Sequence, residues 1–315
     1  MNKVNLLYCF DNNYDKQAFL SISSIVDNSE DFFEVYIIHK SPETFDNYKN
    51  DLLAYENVLN INIYKFKEDL INYPQLKNKH VSEATYYRLF ISEYLPRDID
   101  HVLYCDPDVF CIKNTSSILS SFVKNFLNTK KPIGVNVEKF LTNDNQDYFK
   151  NLQMKNNVYF NAGVMFINLN LWNEIISKDL VKEKIRTLED IIILWDQDIL
   201  NSIFDGNYYE ISNLLNFRIT YPINIKFFKE NTLFIHYSGN HKPWTVEGAL
   251  DKPSVYYLDI YQKYFKDKYS LKIKGTRLYS IKYLFKNILN GNLLKLKFPI
   301  SYIIEFTKAI LRNNQ

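Results

Sequence analysis

The stretch that decides the fold is His101-Val-Leu-Tyr-Cys-Asp-Pro-Asp-Val-Phe110, an apolar run that leads into two carboxylates separated by one residue. The run predicts a buried strand. Residues i and i+2 of an extended backbone face the same side, so Asp106 and Asp108 can converge on one hard divalent cation. Pro107 stiffens the link because its ring fixes φ. The alternative interpretation of the two carboxylates is a solvated turn.

The Asp-x-Asp spacing alone is weak evidence, because the chain contains it three times, also at Asp98 and Asp100 and at Asp196 and Asp198. The middle triplet differs from the others because it ends an apolar strand. Asp98 follows Pro96-Arg97 and is expected in a turn. The triplet after residue 105 is therefore the candidate cation site.

Around this stretch, short apolar runs alternate with helical patterns, which favours βαβ units and a largely parallel sheet. We predict strands at about 4–10, 33–39, 59–66, 101–105, 132–137, 160–168 and 232–237. We predict helices at about 15–27, 43–55, 83–94, 115–126, 170–186 and 196–205. Ligands of such sheets bind beyond the carboxyl ends of the strands, so polar residues directly after an apolar run are the first candidates for a site.

Composition sets limits on the class of protein. The 315 residues are 46% hydrophobic and 23% charged, which is enough to bury a core and to stay in solution. Cys9, Cys105 and Cys111 lack paired CxxC spacing, which favours a reduced, cytoplasmic setting. The apolar run that begins at Val4 meets Asp11 too soon for a signal peptide or a membrane span, and neither is expected.

The positive charge is concentrated at the end of the chain. Residues 266–315 carry eleven Lys or Arg against two acidic residues, a net of +9, although the whole chain carries only +2. Apolar residues recur there at helical spacing: Leu278, Ile281, Leu284, Phe285, Ile288 and Leu289. We predict a main domain at 1–265 and a basic amphipathic tail at 266–315 that docks on anionic lipid. An ordinary surface helix is the alternative, and no nucleic-acid motif accompanies the charge.

Two further segments place polar or small residues at strands. Asp11-Asn12-Asn13-Tyr14 follows the first strand, where a carboxylate and amides can accept from a nucleobase or a ribose, although they also favour turns. Asn161-Ala162-Gly163 interrupts another strand. A glycine inside a strand marks the close approach of a ligand or, as the competing account, a β-bulge.

A last segment, His236-Tyr-Ser-Gly239-Asn-His-Lys242, follows the predicted strand near 235. His236 could supply a nitrogen ligand to a metal, and Gly239 permits a backbone contact. Lys242 could hold a phosphate as a point charge. A structural histidine is the alternative for His236.

Taken in order, these segments resemble the family 8 retaining glycosyltransferases, whose bacterial members include lipooligosaccharide galactosyltransferases and glucosyltransferases. The likeness covers roughly residues 3–245. It rests on Asp11-Asn12-Asn13-Tyr14, Thr85-Tyr-Tyr-Arg88-Leu89, Leu103-Tyr-Cys-Asp106-Pro-Asp108-Val, Tyr159-Phe-Asn161-Ala162-Gly163-Val, Asp196-Gln197-Asp198-Ile-Leu-Asn201 and His236-Tyr-Ser-Gly239-Asn-His-Lys242-Pro243-Trp244. Asn12, where relatives often carry an acidic residue, and the central Pro107 depart from the family pattern.

The resemblance implies a GT-A fold, a single Rossmann-like α/β domain with a mostly parallel mixed sheet. It implies UDP-glucose or UDP-galactose as donor and a Mn²⁺ ion that bridges the two phosphates, with Mg²⁺ possible. By position, Asp106, Asp108 and His236 would be the metal ligands. A mixed carboxylate and imidazole set suits Mn²⁺ better than Mg²⁺.

The resemblance also assigns residues to the donor: Asp11, Asn13, Arg88, Asp106, Asn161, Ala162, Asp196, Gln197, Gly239 and Lys242. Asp11 and Asn13 would hold the uridine. Gly239 and Lys242 would hold the diphosphate. The residues implied around the sugar are Arg88, Asn161, Asp196 and Gln197. The catalytic candidates by analogy are Gln197, Asp198 and Asp196, for which a helix start stabilised by acidic residues is the alternative.

Acceptor choice is expected in the segments at about 138–158 and 208–230, with Glu138 as an acceptor-side candidate. A glycan or glycolipid acceptor fits the basic tail, and we expect a cytoplasmic protein attached to the inner face of the cell membrane. Two alternatives stay open at this point. One is a nucleotidyltransferase or phosphohydrolase that uses a nucleotide and a divalent metal. The other is a non-catalytic UDP-sugar-binding protein.

Overall fold

A computed structural model of the chain describes residues 2–68, 82–138, 146–156, 158–219, 228, 230, 232–239 and 242–312. The strands are β1 (Lys3–Phe10), β2 (Phe32–His39), β3 (Val58–Lys65), β4 (His101–Cys105), β5 (Val109–Cys111), β6 (Ile133–Val137), β7 (Phe160–Asn168), β8 (Tyr209–Glu210), β9 (Phe217–Arg218) and β10 (Phe234–His236). The α-helices are α1 (Asp15–Asp27), α2 (Asp46–Leu53), α3 (Ile118–Asn128), α4 (Gln146–Asn151), α5 (Leu169–Ile175), α6 (Lys178–Leu188), α7 (Asp196–Ile203), α8 (Ser254–Tyr264), α9 (Arg277–Leu289) and α10 (Pro299–Leu311). Parts of both segments expected to choose the acceptor, 139–145 and 220–227, lie outside the described residues.

The main sheet has seven strands in the order β3-β2-β1-β4-β7-β6-β8. Strands β3, β2, β1 and β4 are parallel, whereas β7 is antiparallel to both β4 and β6. Residues 4–10 are buried throughout, as expected of a central strand covered on both faces. The predicted mostly parallel mixed sheet is confirmed. A smaller sheet has the order β5-β10-β9.

All seven predicted strands are present, and α1 has the predicted limits. The predicted helix at 170–186 is instead two helices, α5 and α6, because the Ser177 side chain accepts a hydrogen bond from Leu180 N and starts a new helix. The predicted helix at 83–94 is instead a 3₁₀ segment, Glu83–Glu93, with a kink at Phe90, whose φ of −112° and ψ of 16° are not helical. Helices α4, α8 and α10 and the short strands β5, β8 and β9 were not predicted.

The chain divides into two compact units, Met1–Phe217 with Asn224–Ile235, and Arg218–Ile223 with His236–Gln315. The second unit has its own apolar cluster, built from α8, α9, α10 and the segment around Tyr269. None of the helices in the described ranges has the length and apolar composition needed to cross a bilayer. The predicted division of the chain at residue 265 stays a prediction.

The amphipathic helix predicted in the tail is α9, but most of its apolar stripe does not face the apolar cluster. Leu284 is buried in the apolar cluster, together with the polar residues Ser280 and Asn287 on the inward face. Phe285 and Leu289 are 62% and 86% exposed. The helix therefore turns most of its large apolar side chains to solvent.

Candidate active site and metal centre

The carboxyl ends of β1 and β4 lie side by side, because the two strands are parallel neighbours with Leu7 opposite Tyr104. Asp11 follows β1, and Asp106 follows β4. Both side chains therefore stand at the edge of the sheet where ligands of open α/β folds bind.

Asp106 and Asp108 belong to a tight turn between β4 and β5. Val109 N donates to Asp106 O at 3.0 Å, and Asp106 N donates to Gly163 O at 2.8 Å. The Tyr104 hydroxyl donates to Asp106 Oδ1 at 2.6 Å. Asp106 is partly exposed and Asp108 is buried, so the alternative of a fully solvated turn does not hold.

His236 is the last residue of β10, the strand that neighbours β5 in the smaller sheet. One ligand atom each from Asp106, Asp108 and His236 lies within 4.8 Å of the others. In the described ranges, no other group of three acidic, histidine or cysteine side chains comes together in this way. Asp98 lies in an exposed turn, as predicted. The three residues form a candidate site for a divalent metal.

Arg88, from the 3₁₀-helix Glu83–Glu93, is a buried cation next to these carboxylates. Its Nη1 lies 3.1 Å from Asp106 Oδ1 and donates to Ala162 O at 2.6 Å. Its Nε lies 2.5 Å from Asp196 Oδ2. The same Nε also donates to Thr85 O at 3.3 Å, so Arg88 combines a charged contact with Asp196 and a hydrogen bond to a main-chain carbonyl.

The pKa values of Arg88 and Asp196 are both raised, which favours the charged form of Arg88 and disfavours that of Asp196. Burial lowers the pKa of Arg88, but Asp106 and Asp196 raise it by more, so the guanidinium stays charged. Burial raises the pKa of Asp196 from 3.8 to about 6, and Arg88 opposes that rise. Asp196 therefore titrates closer to neutral pH than an ordinary aspartate.

Strand β7 departs from regular pairing at Asn161, which is where the sequence predicted either a ligand contact or a bulge. The register with β6 jumps there, from Val135 opposite Met165 to Asn136 opposite Asn161. The main-chain N–H and carbonyl of Ala162 are consequently free of strand pairing at this point and form hydrogen bonds with side chains. Its N–H donates to Gln197 Oε1 at 3.0 Å, and its carbonyl accepts from Arg88. The bulge and the predicted site thus coincide.

Three amide side chains and Glu138 form a buried network behind this bulge. Asn161 Nδ2 donates to Glu138 Oε1 at 3.0 Å and to Gln197 Oε1 at 3.1 Å. Asn161 Oδ1 accepts from Gly163 N and from Asn216 Nδ2. Asn216 carried no sequence signal, because it stands in an irregular segment outside every motif.

Helix α7 begins at Asp196 with an unusual turn. Trp195 has φ 52° and ψ −123°, and Gln197 N donates to Leu194 O at 3.1 Å. These are the geometry and hydrogen bond of a type II′ turn with tryptophan at the position that glycine normally occupies. A non-glycine residue held in such a conformation costs about 1–3 kcal/mol.

Asp11 and Asn13, the residues predicted for uridine, form a local turn in which Asn13 N donates to Asp11 Oδ1 at 2.9 Å. The Ser82 hydroxyl donates to the other oxygen of Asp11. Asn13 is exposed and Asp11 is partly exposed, so both remain accessible to a ligand. Ser82 was not predicted.

Gly239 and Lys242 lie in the second unit. Gly239 has φ +81°, which disfavours a side chain at this position. Lys242 Nζ donates to Tyr237 O at 2.6 Å, so the ammonium group forms a hydrogen bond within its own loop.

A model of the family described as "Glycosyl transferase family 8" matches residues 5–248 of the chain. The chain belongs to glycosyl transferase family 8. The family model extends from the third residue of the described β1 strand to beyond β10, and so includes every candidate site residue named above.

Relatives of this family 8 glycosyltransferase include two proteins of lipopolysaccharide synthesis. The chain is 27% identical over 264 residues to lipopolysaccharide 1,2-glucosyltransferase of Escherichia coli, covering 76% of this chain and 73% of that protein. It is 25% identical over 272 residues to lipopolysaccharide 1,3-galactosyltransferase of Salmonella typhimurium, covering 79% and 75%. Among solved structures, the galactosyltransferase LgtC in complex with donor and acceptor sugar analogs matches with a TM-score of 0.68 and 25% identity, covering 82% of this chain and 96% of that one.

These matches confirm the predicted family, the GT-A fold and the class of enzyme, a hexosyltransferase. The fold family implies a divalent metal, and Asp106, Asp108 and His236 are the candidate ligands. The roles predicted for individual site residues stay predictions.

Proposed function

We propose that the chain is a retaining transferase that moves glucose or galactose from a UDP-sugar to a glycan or glycolipid acceptor. The observation that carries this proposal is the close grouping of Asp106, Asp108 and His236. The UDP leaving group carries two phosphates, and its negative charge grows as the glycosidic bond breaks. Cationic groups fixed beside it stabilise the transition state more than the ground state.

Asp106, Asp108 and His236 would hold the metal, which we propose to be Mn²⁺, with Mg²⁺ as the alternative. Mg²⁺ prefers oxygen ligands and retains its waters, whereas a set that includes imidazole suits Mn²⁺. Ligand atoms at about 2.1 Å from one ion lie at most about 4.2 Å apart. The ligand atoms of the three residues lie within 4.8 Å of one another, so small side-chain movements would bring them to coordination distance of one ion. When bound, the ion supplies Lewis-acid stabilisation of the leaving diphosphate.

For the nucleotide, we propose Asp11 and Asn13 as uridine contacts and Gly239 and Lys242 as diphosphate contacts. The exposed position of Asn13 supports the first assignment. The ammonium of Lys242 is a compact charge suited to a phosphate oxygen, and it would leave the Tyr237 carbonyl to make that contact.

For the sugar, we propose Arg88, Asn161, Ala162, Asp196 and Gln197. The ion pair between Arg88 and Asp196 fixes both side chains without a ligand, so they need little reorganisation when the donor binds. Gln197 is held by the backbone N–H of Ala162. Because that N–H can only donate, the atom facing it is Oε1, and the amide orientation is determined.

On the acceptor side we propose Glu138. It is buried at the end of β6 and accepts from Asn161, so it adjoins the residues proposed for the sugar. The relatives named for activity on lipopolysaccharide support a lipid-linked glycan as acceptor.

We also propose that the tail attaches the protein to the anionic inner face of the cell membrane. Leu278, Phe285 and Leu289 are exposed on α9, with Lys282 and Lys286 exposed between them. The apolar side chains can enter the headgroup boundary, and each basic residue near an anionic surface adds about 1 kcal/mol. The net charge of +9 on residues 266–315 fits this partner.

A UDP-release assay tests the proposed function. The full-length protein is incubated with UDP-glucose or UDP-galactose, with and without Mn²⁺, and scored for slow hydrolysis, so that no acceptor is needed. Manganese-dependent release of UDP from one donor is the expected result and names the sugar. Pyrophosphate exchange without UDP release would instead support a nucleotidyltransferase. Binding of UDP-sugars without turnover, even with lipopolysaccharide acceptors, would support the non-catalytic alternative.

A further inference from the structure

Asp198 lies at the centre of a buried group of hydrogen bonds. Its Oδ1 accepts from the hydroxyls of Tyr148 at 2.6 Å and Tyr159 at 2.5 Å. Its Oδ2 accepts from the backbone N–H groups of Ile193 at 2.8 Å and Leu194 at 2.7 Å. A carboxylate offers about four acceptor positions. All of them are therefore filled.

The side chains of α7 point in different directions from its first turn. Successive helical residues are rotated by about 100°, so Asp196 and Asp198 lie on nearly opposite faces. Asp196 contacts Arg88, and Gln197 contacts the bulge at Ala162, whereas Asp198 faces Tyr148. Asp198 is thus turned away from the residues proposed for the sugar.

The two backbone groups that Asp198 binds come directly before Trp195, the strained residue of the type II′ turn. Asp198 is the third residue of the helix, and its carboxylate reaches back over the helix start. This resembles a capping box, but the reach extends past the N-cap residue to the two residues before it. The carboxylate therefore fixes the conformation from which α7 begins.

We propose that Asp198 is a positioning residue that holds the strained start of α7 and thereby directs Asp196 and Gln197 at the donor sugar. It neither attacks the sugar nor stabilises its charge. This inference rests on the proposed function, because it concerns the orientation of residues in the same site.

Four variants and one control variant of the full-length enzyme test the inference, with Mn²⁺-dependent hydrolysis of the UDP-sugar measured as kcat and KM. Asp198→Asn turns an NH₂ group toward donors, and we expect a loss of about a hundredfold in kcat/KM. Trp195→Gly accommodates the positive φ without strain. In the double variant Trp195→Gly/Asp198→Asn the turn is unstrained and depends less on the hydrogen bonds of residue 198. We therefore expect its kcat/KM to be about fivefold or more above that of Asp198→Asn. Asp190→Asn, an exposed residue of the preceding loop, is the matched control.

The fourth variant, Tyr148→Phe, leaves the carboxylate intact and removes one of its donors. A positioning role predicts a loss of about three- to tenfold in kcat/KM, because a hydrogen bond to a charged group is removed. If the carboxylate took part in the chemistry, Tyr148→Phe would instead keep the wild-type rate or exceed it, since one hydrogen bond fewer would occupy the carboxylate. This variant keeps the test decisive if Asp198→Asn does not fold.

The inference is overturned if Tyr148→Phe keeps the wild-type rate and the glycine replacement brings no recovery to folded Asp198→Asn. That result would assign the carboxylate to the chemistry and leave the proposed function intact. A wild-type enzyme that releases no UDP from either donor would contradict the proposed function itself, and circular dichroism of each variant confirms that the compared proteins are folded.

Discussion

Nη1 of Arg88 lies 3.1 Å from Oδ1 of Asp106, and the guanidinium is almost completely buried. The same guanidinium pairs with Asp196, so one cation balances two carboxylates. Arg88 therefore connects a proposed metal ligand with a proposed sugar contact, and its removal should affect folding as well as donor binding.

Arg88→Met keeps most of the side-chain volume and removes the charge. Because it leaves the buried Asp196 without its partner, we expect a loss of about 3–5 kcal/mol in the free energy of unfolding, measured by urea titration. Arg88→Lys should lose less, since it keeps the charge without the two-sided geometry. Arg97→Met, at an exposed position, is the control. Equal stability of Arg88→Met and the control would contradict this account.

Asp106→Asn and Asp108→Asn should each weaken Mn²⁺-dependent binding of UDP by about tenfold or more, because a ligand charge is lost. Isothermal titration calorimetry with and without Mn²⁺ measures the effect. Asp98→Asn changes the first residue of another Asp-x-Asp triplet in an exposed turn and should bind as the wild type does. Unchanged affinity in both site variants would refute the metal assignment.

Lys242→Ala should weaken binding of UDP more than binding of uridine. The expected difference is about 1.5–3 kcal/mol, as for a hydrogen bond that involves a charged group. Calorimetry with both ligands measures it, and Lys252→Ala, an exposed lysine of the same unit, is the control. Equal losses for UDP and uridine would argue against a contact with the diphosphate.

Asp196 should make stability depend on pH. Because burial raises its pKa from 3.8 to about 6, the folded protein holds a proton over this range that the unfolded chain has released. Its contribution is complete below about pH 4 and is lost as the pH rises through about 6, by roughly 3 kcal/mol at most. Urea titrations should show the stability of the wild type falling relative to Asp196→Asn between these values. A constant difference would show that the pKa is not raised.

The outward face of α9 should govern membrane binding. Phe285→Glu with Leu289→Glu places charge on two exposed apolar residues and should reduce sedimentation with anionic liposomes by about tenfold or more. UDP release should be unaffected. Leu59→Glu, at a half-exposed position in β3, is the matched control. Binding of the double variant at the wild-type level would refute docking through this face.

Much of the sheet could be predicted because it is encoded locally. Buried strands read as apolar runs, and Asp11 and Asp106 stand out because each follows such a run. The 3₁₀ form of residues 83–93 could not be predicted, since the apolar pattern does not decide between the two helix types. A tryptophan in a type II′ turn contradicts local preference altogether.

The arrangement behind the site was also beyond prediction, for a different reason. The contact between Tyr148 and Asp198 joins residues 50 positions apart, and Asn216 reaches Asn161 across 55. No short-range spacing indicates such pairs. The motifs predicted the candidate site residues, whereas long-range partners such as Tyr148 and Asn216 became visible only from the fold.

The bulge of β7 has a consequence for how this enzyme can change. At Ala162 the groups that meet Gln197 and Arg88 are the N–H and carbonyl of the main chain. Every amino acid except proline has both a main-chain N–H and a main-chain carbonyl. A larger side chain at position 162 would crowd the surrounding space, but the two main-chain hydrogen bonds that orient Gln197 and Arg88 would remain available.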